Sequence, residues 1–116
     1  MEQPYTYIFI RTDLSYAQQI VQASHATLEA GFKFEQPDQT SAIVLFGVES
    51  ESGIFEKARY LRKHSIENVI FYEPDIEQYT AIATEPLRGS DRELLSEFRT
   101  YRPKADKKWW KRLINA

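Results

Sequence analysis

Apolar and polar positions along this chain follow two different periods. Tyr5-Thr6-Tyr7-Ile8-Phe9-Ile10-Arg11 is dense in β-branched and aromatic residues, the composition of a strand. From about residue 16 to residue 31 the period lengthens: Ala17, Ile20, Val21, Ser24, Leu28 and Gly31 recur at helical spacing. That predicts a helix with those positions turned to the core. Asp13 or Ser15 can cap its start, and Gly31 suits its end, where a residue lacking Cβ adopts positive φ. After a polar loop, residues 41–48 (SAIVLFGV) are almost unbroken in apolar character and predict a strand covered on both faces. Residues 51–64 predict a second helix with Ile54, Phe55, Ala58 and Leu61 facing inward. Strands over residues 69–72 and 79–83 flank the bend Glu73-Pro74-Asp75-Ile76-Glu77, where Pro74 withholds a backbone donor and favours a turn. Ser90, with Glu93 three residues on, has the form of a capping box. It predicts a third helix that carries Leu94, Leu95 and Phe98 and ends before Pro103. The order β-α-β-α-β-β-α predicts a single α/β domain, a four-stranded mixed sheet flanked by helices.

Composition narrows the chemistry. With 42% hydrophobic and 28% charged residues in 116, the chain has the make-up of one folded domain rather than a disordered one. It contains no apolar run near the ~18–20 residues of a membrane span, and Met-Glu-Gln-Pro has neither the basic start nor the apolar stretch of a signal peptide. A cytoplasmic protein is the expectation, with no membrane partner. Cysteine is absent, which removes disulfide and thiolate chemistry. Only His25 and His64 offer nitrogen ligands, far apart in sequence, so neither a metal nor a cofactor is implied. Charge is unevenly spread. Residues 1–100 hold 9 Lys/Arg against 16 Asp/Glu, a balance of −7, whereas residues 101–116 hold 6 against one, a balance of +5. This divides the chain into a body, residues 1–103, and a basic tail, residues 104–116.

The first helix has a second stripe. Gln18, Gln22, His25 and Glu29 lie 4, 3 and 4 residues apart, opposite the apolar positions. They begin just beyond the carboxyl end of the first strand, where ligand crevices of α/β sheets open. An imidazole exchanges protons near neutral pH, and an amide both donates and accepts beside it. A solvated helix face produces the same pattern without any chemistry.

The segment Ile10-Arg11-Thr12-Asp13-Leu14, followed by Gln22-Ala23-Ser24-His25-Ala26, resembles the opening of type-2 peptidyl-tRNA hydrolases, where a strand ends in Arg-x-Asp-Leu and the next helix carries Ala-Gln-x-x-His-Ala. Residues 69–72 and Thr80-Ala81-Ile82-Ala83-Thr84-Glu85-Pro86 resemble that family's last two strands, with Thr80 at its strand-start threonine. The likeness runs over roughly residues 5–87 and implies hydrolysis of the ester joining a peptide to the terminal ribose of tRNA. There are departures. The family's Gly-Lys before the Ala-Gln is absent, the interval from Asp13-Leu14 to Gln22 is two residues shorter, and Gln18 and Gln19 stand where the lysine is expected. The family's Asp-Ala-Gly loop is replaced by the shorter Glu73-Pro74-Asp75.

Ester hydrolysis requires an oriented, partly deprotonated water and donors toward the developing oxyanion. His25, or the carboxylate of Asp75 or Glu73, is the candidate base. Gln22 and Thr80 are the candidate donors. Ser24 is not a candidate nucleophile, since neighbours on a helix point about 100° apart, so water attack is expected. Ordinary strand propensity also accounts for Thr80, and turn chemistry for Glu73 and Asp75. Arg11, Asp13 and Gln18 complete the body's candidate substrate contacts. In the tail, Lys107, Lys108 and Trp109 suit nucleic acid, with cations on phosphates and indoles stacked on the unpaired bases of the tRNA 3′ end. The competing arrangement docks Trp109 and Leu113, or Trp110 and Ile114, on the body. Two other functions remain open: a relative that has lost turnover but binds RNA, and a protein-interaction module, including a homodimer.

Overall fold

The computed structural model describes residues 2–102. The elements are β1 (Tyr5–Arg11), α1 (Tyr16–Lys33), β2 (Ala42–Val48), α2 (Glu51–Lys63), β3 (Asn68–Glu73), β4 (Gln78–Thr84) and a 3₁₀ helix (Gly89–Leu95). The sheet order is β2-β1-β4-β3. β1 pairs parallel with β2 and antiparallel with β4, and β3 closes the far edge antiparallel to β4. The mixed four-stranded α/β architecture expected from the sequence is present.

Strand β1 occupies the interior because every residue from Thr6 to Arg11 is buried and successive side chains supply opposite faces. Tyr7 and Phe9 enter a cluster with Phe46, Val48, Ile82, and the α2 residues Ile54, Ala58 and Leu61. Ile8 and Ile10 enter a second, smaller cluster with Ala26 and Ala30 of α1 and Ala81 and Ala83 of β4. The two helices therefore cover opposite faces of one sheet. The α1 side is built largely from alanine, so helix and strand backbones approach closely there.

Helix α1 sits the other way round from its predicted orientation. Its buried residues are Gln19, Gln22, Ala26 and Ala30, while Ile20, Val21 and Leu28 are exposed. Hydrophobicity misplaced the core face because the alanines bury little area each, yet only they permit the close approach to Ala81 and Ala83. Ser15, not Asp13, supplies the cap, its hydroxyl accepting from the Gln18 amide at 3.2 Å. Gly31 is not the terminator, for the helix continues to Lys33 and its cap residue is Phe34.

Strand β2 is an edge strand, not an interior one, and Ile43 on its α1 side is exposed. Phe55 of α2, expected inward, is likewise exposed and meets Tyr79 edge-on. The third helix is a 3₁₀ segment that begins after Arg88 with no side-chain cap, so the Ser90–Glu93 box does not form. It still buries Leu95, and Phe98 packs edge-on against Phe9 and Phe46. The chain then returns to β2: Thr100 bridges Phe46 antiparallel, and the Tyr101 amide donates to the Leu45 carbonyl at 2.6 Å.

The tight α1–β4 contact gives a direct test. Ala81→Leu or Ala26→Leu should lower unfolding free energy by about 1–3 kcal/mol through overpacking, measured by denaturant titration. A neutral result would contradict the close approach.

Candidate active site

Gln22 is the hub. Its side chain is 1% exposed and faces the start of β4 and the end of β3. The Thr80 hydroxyl donates to Gln22 Oε1 at 2.8 Å. That bond fixes the amide's orientation, so Nε2 projects toward Glu73 Oε2 at 2.8 Å and Gln18 Oε1 at 3.0 Å. Both amide protons and the amide oxygen are thereby engaged, as burial of a polar group requires. The helix amide and the acid-bearing bend, 51 residues apart in sequence, are in direct contact.

Of the two candidate acids, Glu73 is the one that reaches α1. Asp75 contributes its backbone amide, which donates to Glu73 Oε1 at 3.2 Å, while its own side chain is exposed on the turn. Glu73 is a partly exposed carboxylate held well oriented. Its pKa is lowered from the ordinary glutamate value, first by the bond from Gln22, then by the Asp75 amide, with a contribution from the nearby His25 charge, against opposing desolvation. His25 is exposed and its ring lies flat on Phe71, centroids 4.6 Å apart and planes within 1°. Phe71 received no role from the sequence. Its signal was position alone, two residues before Glu73 on the same face of a strand.

Two predicted roles need correction. Thr80 is wholly buried and spends its hydroxyl on Gln22. Gln22 in turn spends its protons on Gln18 and Glu73. Neither is free to donate to a substrate; both position Glu73. Gln18 is exposed, and with its oxygen engaged by Gln22 it turns its amide N–H₂ outward.

Arg11 is also redirected. Its guanidinium is buried and donates to both carboxylate oxygens of Asp13 at 2.9 and 2.7 Å, to Gln78 Oε1 at 2.6 Å and to the Tyr79 carbonyl at 3.2 Å. This fork ties the end of β1 to the start of β4 and holds the Asp13 carboxyl below its ordinary pKa, chiefly through the Arg11 hydrogen bond. Arg11 is thus spent on structure, whereas the Asp13 carboxylate it grips stays exposed. The crevice beyond β1, about 470 Å³, is lined by Asp13, Ser15, Gln19, Tyr101 and neighbours. Among the described residues, Asp13 is the one expected site residue that lines it. Gln19, not among the expected site residues, donates from Nε2 to the Thr12 and Leu14 carbonyls and accepts from the Tyr101 hydroxyl at 2.6 Å.

Lys107, Lys108 and Trp109 lie outside the described residues. Among the described residues no group of three or more His, Cys, Asp or Glu side chains is arranged to hold a metal ion, and no helix is long and apolar enough to cross a membrane. No protein-family model matches the chain, and neither does any curated protein.

Thr80→Val should cost about 1–3 kcal/mol, since it leaves a buried amide oxygen without its donor. The Glu73 carboxyl should titrate below an ordinary glutamate by NMR, and Gln22→Leu should raise that midpoint. Because folding lowers this pKa, its stabilising contribution is present above the unfolded-state value and disappears as pH falls through the folded one. The stability difference between the native chain and Glu73→Gln should therefore shrink in acid, as followed by denaturant titration across pH.

Proposed function

We propose that this protein hydrolyses the ester of peptidyl-tRNA, with Glu73 and His25 as the groups that act on water. The reading rests on one observation: the Gln22 amide meets the Glu73 carboxylate at 2.8 Å beside the exposed imidazole of His25. An exposed acid with a lowered pKa is ionised at neutral pH and orients water well but takes a proton poorly. The imidazole is the better acceptor. Water held by Glu73 attacks the ester carbonyl carbon, and its proton passes to His25. The bond from that carbon to the ribose oxygen then breaks, and His25 returns the proton to the departing hydroxyl. The outward N–H₂ of Gln18 is the donor for the oxyanion, the task an amide performs in other acyl-transfer sites. It stands where the resembled family carries lysine, and an uncharged donor stabilises that charge less.

Binding must overcome an acidic body. Arg11 contributes nothing to it, being committed to Asp13, Gln78 and Tyr79. Lys33, Arg88 and the tail lysines Lys107 and Lys108 remain as phosphate partners. The neutral amide of Gln18 in place of a lysine favours a second reading, in which the protein binds RNA without turnover.

Incubation with a peptidyl-tRNA decides between them. Release of free tRNA is expected, with losses of about 10²–10⁴-fold in Glu73→Gln and His25→Ala and little change in Asp75→Asn. Salt-sensitive tRNA binding without release would establish the second reading instead. Absence of both would leave the family likeness without a reaction.

A further inference from the structure

Helix α1 turns an apolar stripe away from the core. Leu28 and Phe32 are 59% and 79% exposed, and Ile43 on the neighbouring edge strand is 56% exposed. Together with Ala23, Gly31 and Leu45 these residues line a groove of about 720 Å³ between α1 and β2. The groove arises because α1 lies over β4 and β3, leaving the α1 side of β2 uncovered. Its lining carries no charged side chain. Contiguous apolar surface of this kind marks a binding face in a folded domain.

We infer that the groove is the docking site of this chain's own C-terminal segment, residues 103–116, seated through Trp109 or Trp110 with Leu113 or Ile114. The inference is independent of the ester hydrolysis proposed above. Three observations select this occupant. The first is where the described chain ends. Tyr101 donates its amide to the Leu45 carbonyl and its hydroxyl to Gln19, so the chain is fastened at the groove's own wall. The second is direction. Thr100 pairs antiparallel with Phe46 and Tyr101 follows at Leu45, so the described chain is heading along β2 toward Ile43 where it ends. The distance from Leu45 to Ile43 is about 7 Å at strand rise, and fourteen residues span about 20 Å even at helical rise, ample to cross the groove. Strand pairing itself cannot continue, because Pro103 would fall opposite Ile43 with no N–H to donate. The third is composition. Residues 103–116 combine a charge of +4 with two tryptophans, a leucine and an isoleucine, apolar groups for an apolar groove and cations for an acidic body. Docked in this way, the indole serves protein contact and not base stacking, while the lysines stay in water.

Trp109 and Trp110 are the only tryptophans in the sequence, so intrinsic tryptophan fluorescence of the full chain reports on this segment alone. The expected result is blue-shifted emission with weak acrylamide quenching, independent of protein concentration. Replacing the exposed pair with Leu28→Ser and Phe32→Ser should red-shift the emission and raise the quenching constant several-fold, with far-UV circular dichroism unchanged. Solvent-exposed emission in the native chain would overturn the inference, as would buried emission that ignores the groove substitutions. Buried emission lost on dilution, together with a dimer by light scattering, would assign the groove to a second copy and overturn it equally.

Discussion

A buried glutamine side chain sets the orientation of the first helix. Gln22 must satisfy two donors and an acceptor away from water, and its partners Thr80 and Glu73 lie on the two antiparallel strands β4 and β3. Turning α1 so that Leu28 and Phe32 faced the sheet would bury more apolar area but would move the amide away from those partners. Loss of a buried polar partner costs about 1–3 kcal/mol per group, a cost repeated at each of the two bonds to the strands. Gln19 one turn earlier imposes the same rotation through Thr12, Leu14 and Tyr101. Alanines at 26 and 30 then let the rest of the helix settle onto β4.

The strands and the second helix were legible because their signals are strong and local. The aromatic, β-branched run around Phe9 reads as a strand, and Ile54, Ala58 and Leu61 repeat cleanly on one side of α2. The rotation of α1 was not legible, since hydrophobic periodicity weighs leucine above alanine whereas close helix–strand packing selects the reverse. The 3₁₀ segment escaped for a related reason: a capping box describes a side-chain opportunity, and packing of Leu95 and Phe98 decided the backbone instead. At the site, the polar stripe of α1 could be read from spacing, but the approach of the bend rested on the family resemblance, and which of Glu73 and Asp75 faced the helix depended on turn geometry that a bend of five residues leaves open.

The hydrogen bonds also sort the polar residues by task. Arg11 and Asp13 form a bidentate pair with most of their capacity used internally, so residues that look like a ligand clamp in sequence hold β1 to β4 instead. Thr80, Gln22 and the Asp75 amide form a relay whose only outward product is one well-oriented carboxylate. Around this relay the Glu73 carboxylate, the imidazole of His25 resting on Phe71 and the Gln18 amide remain accessible to solvent.

The return of the chain to β2 bears on solubility. An edge strand offers a row of unpaired backbone groups to any other extended chain, and β2 is such an edge. Among the described residues Thr100 and Tyr101 pair with Phe46 and Leu45 in the middle of this strand, which interrupts the row of backbone groups that a neighbouring molecule could recruit. Loosening those two residues would lengthen the open template and turn the rim of the sheet into a seed for intermolecular β-stacking.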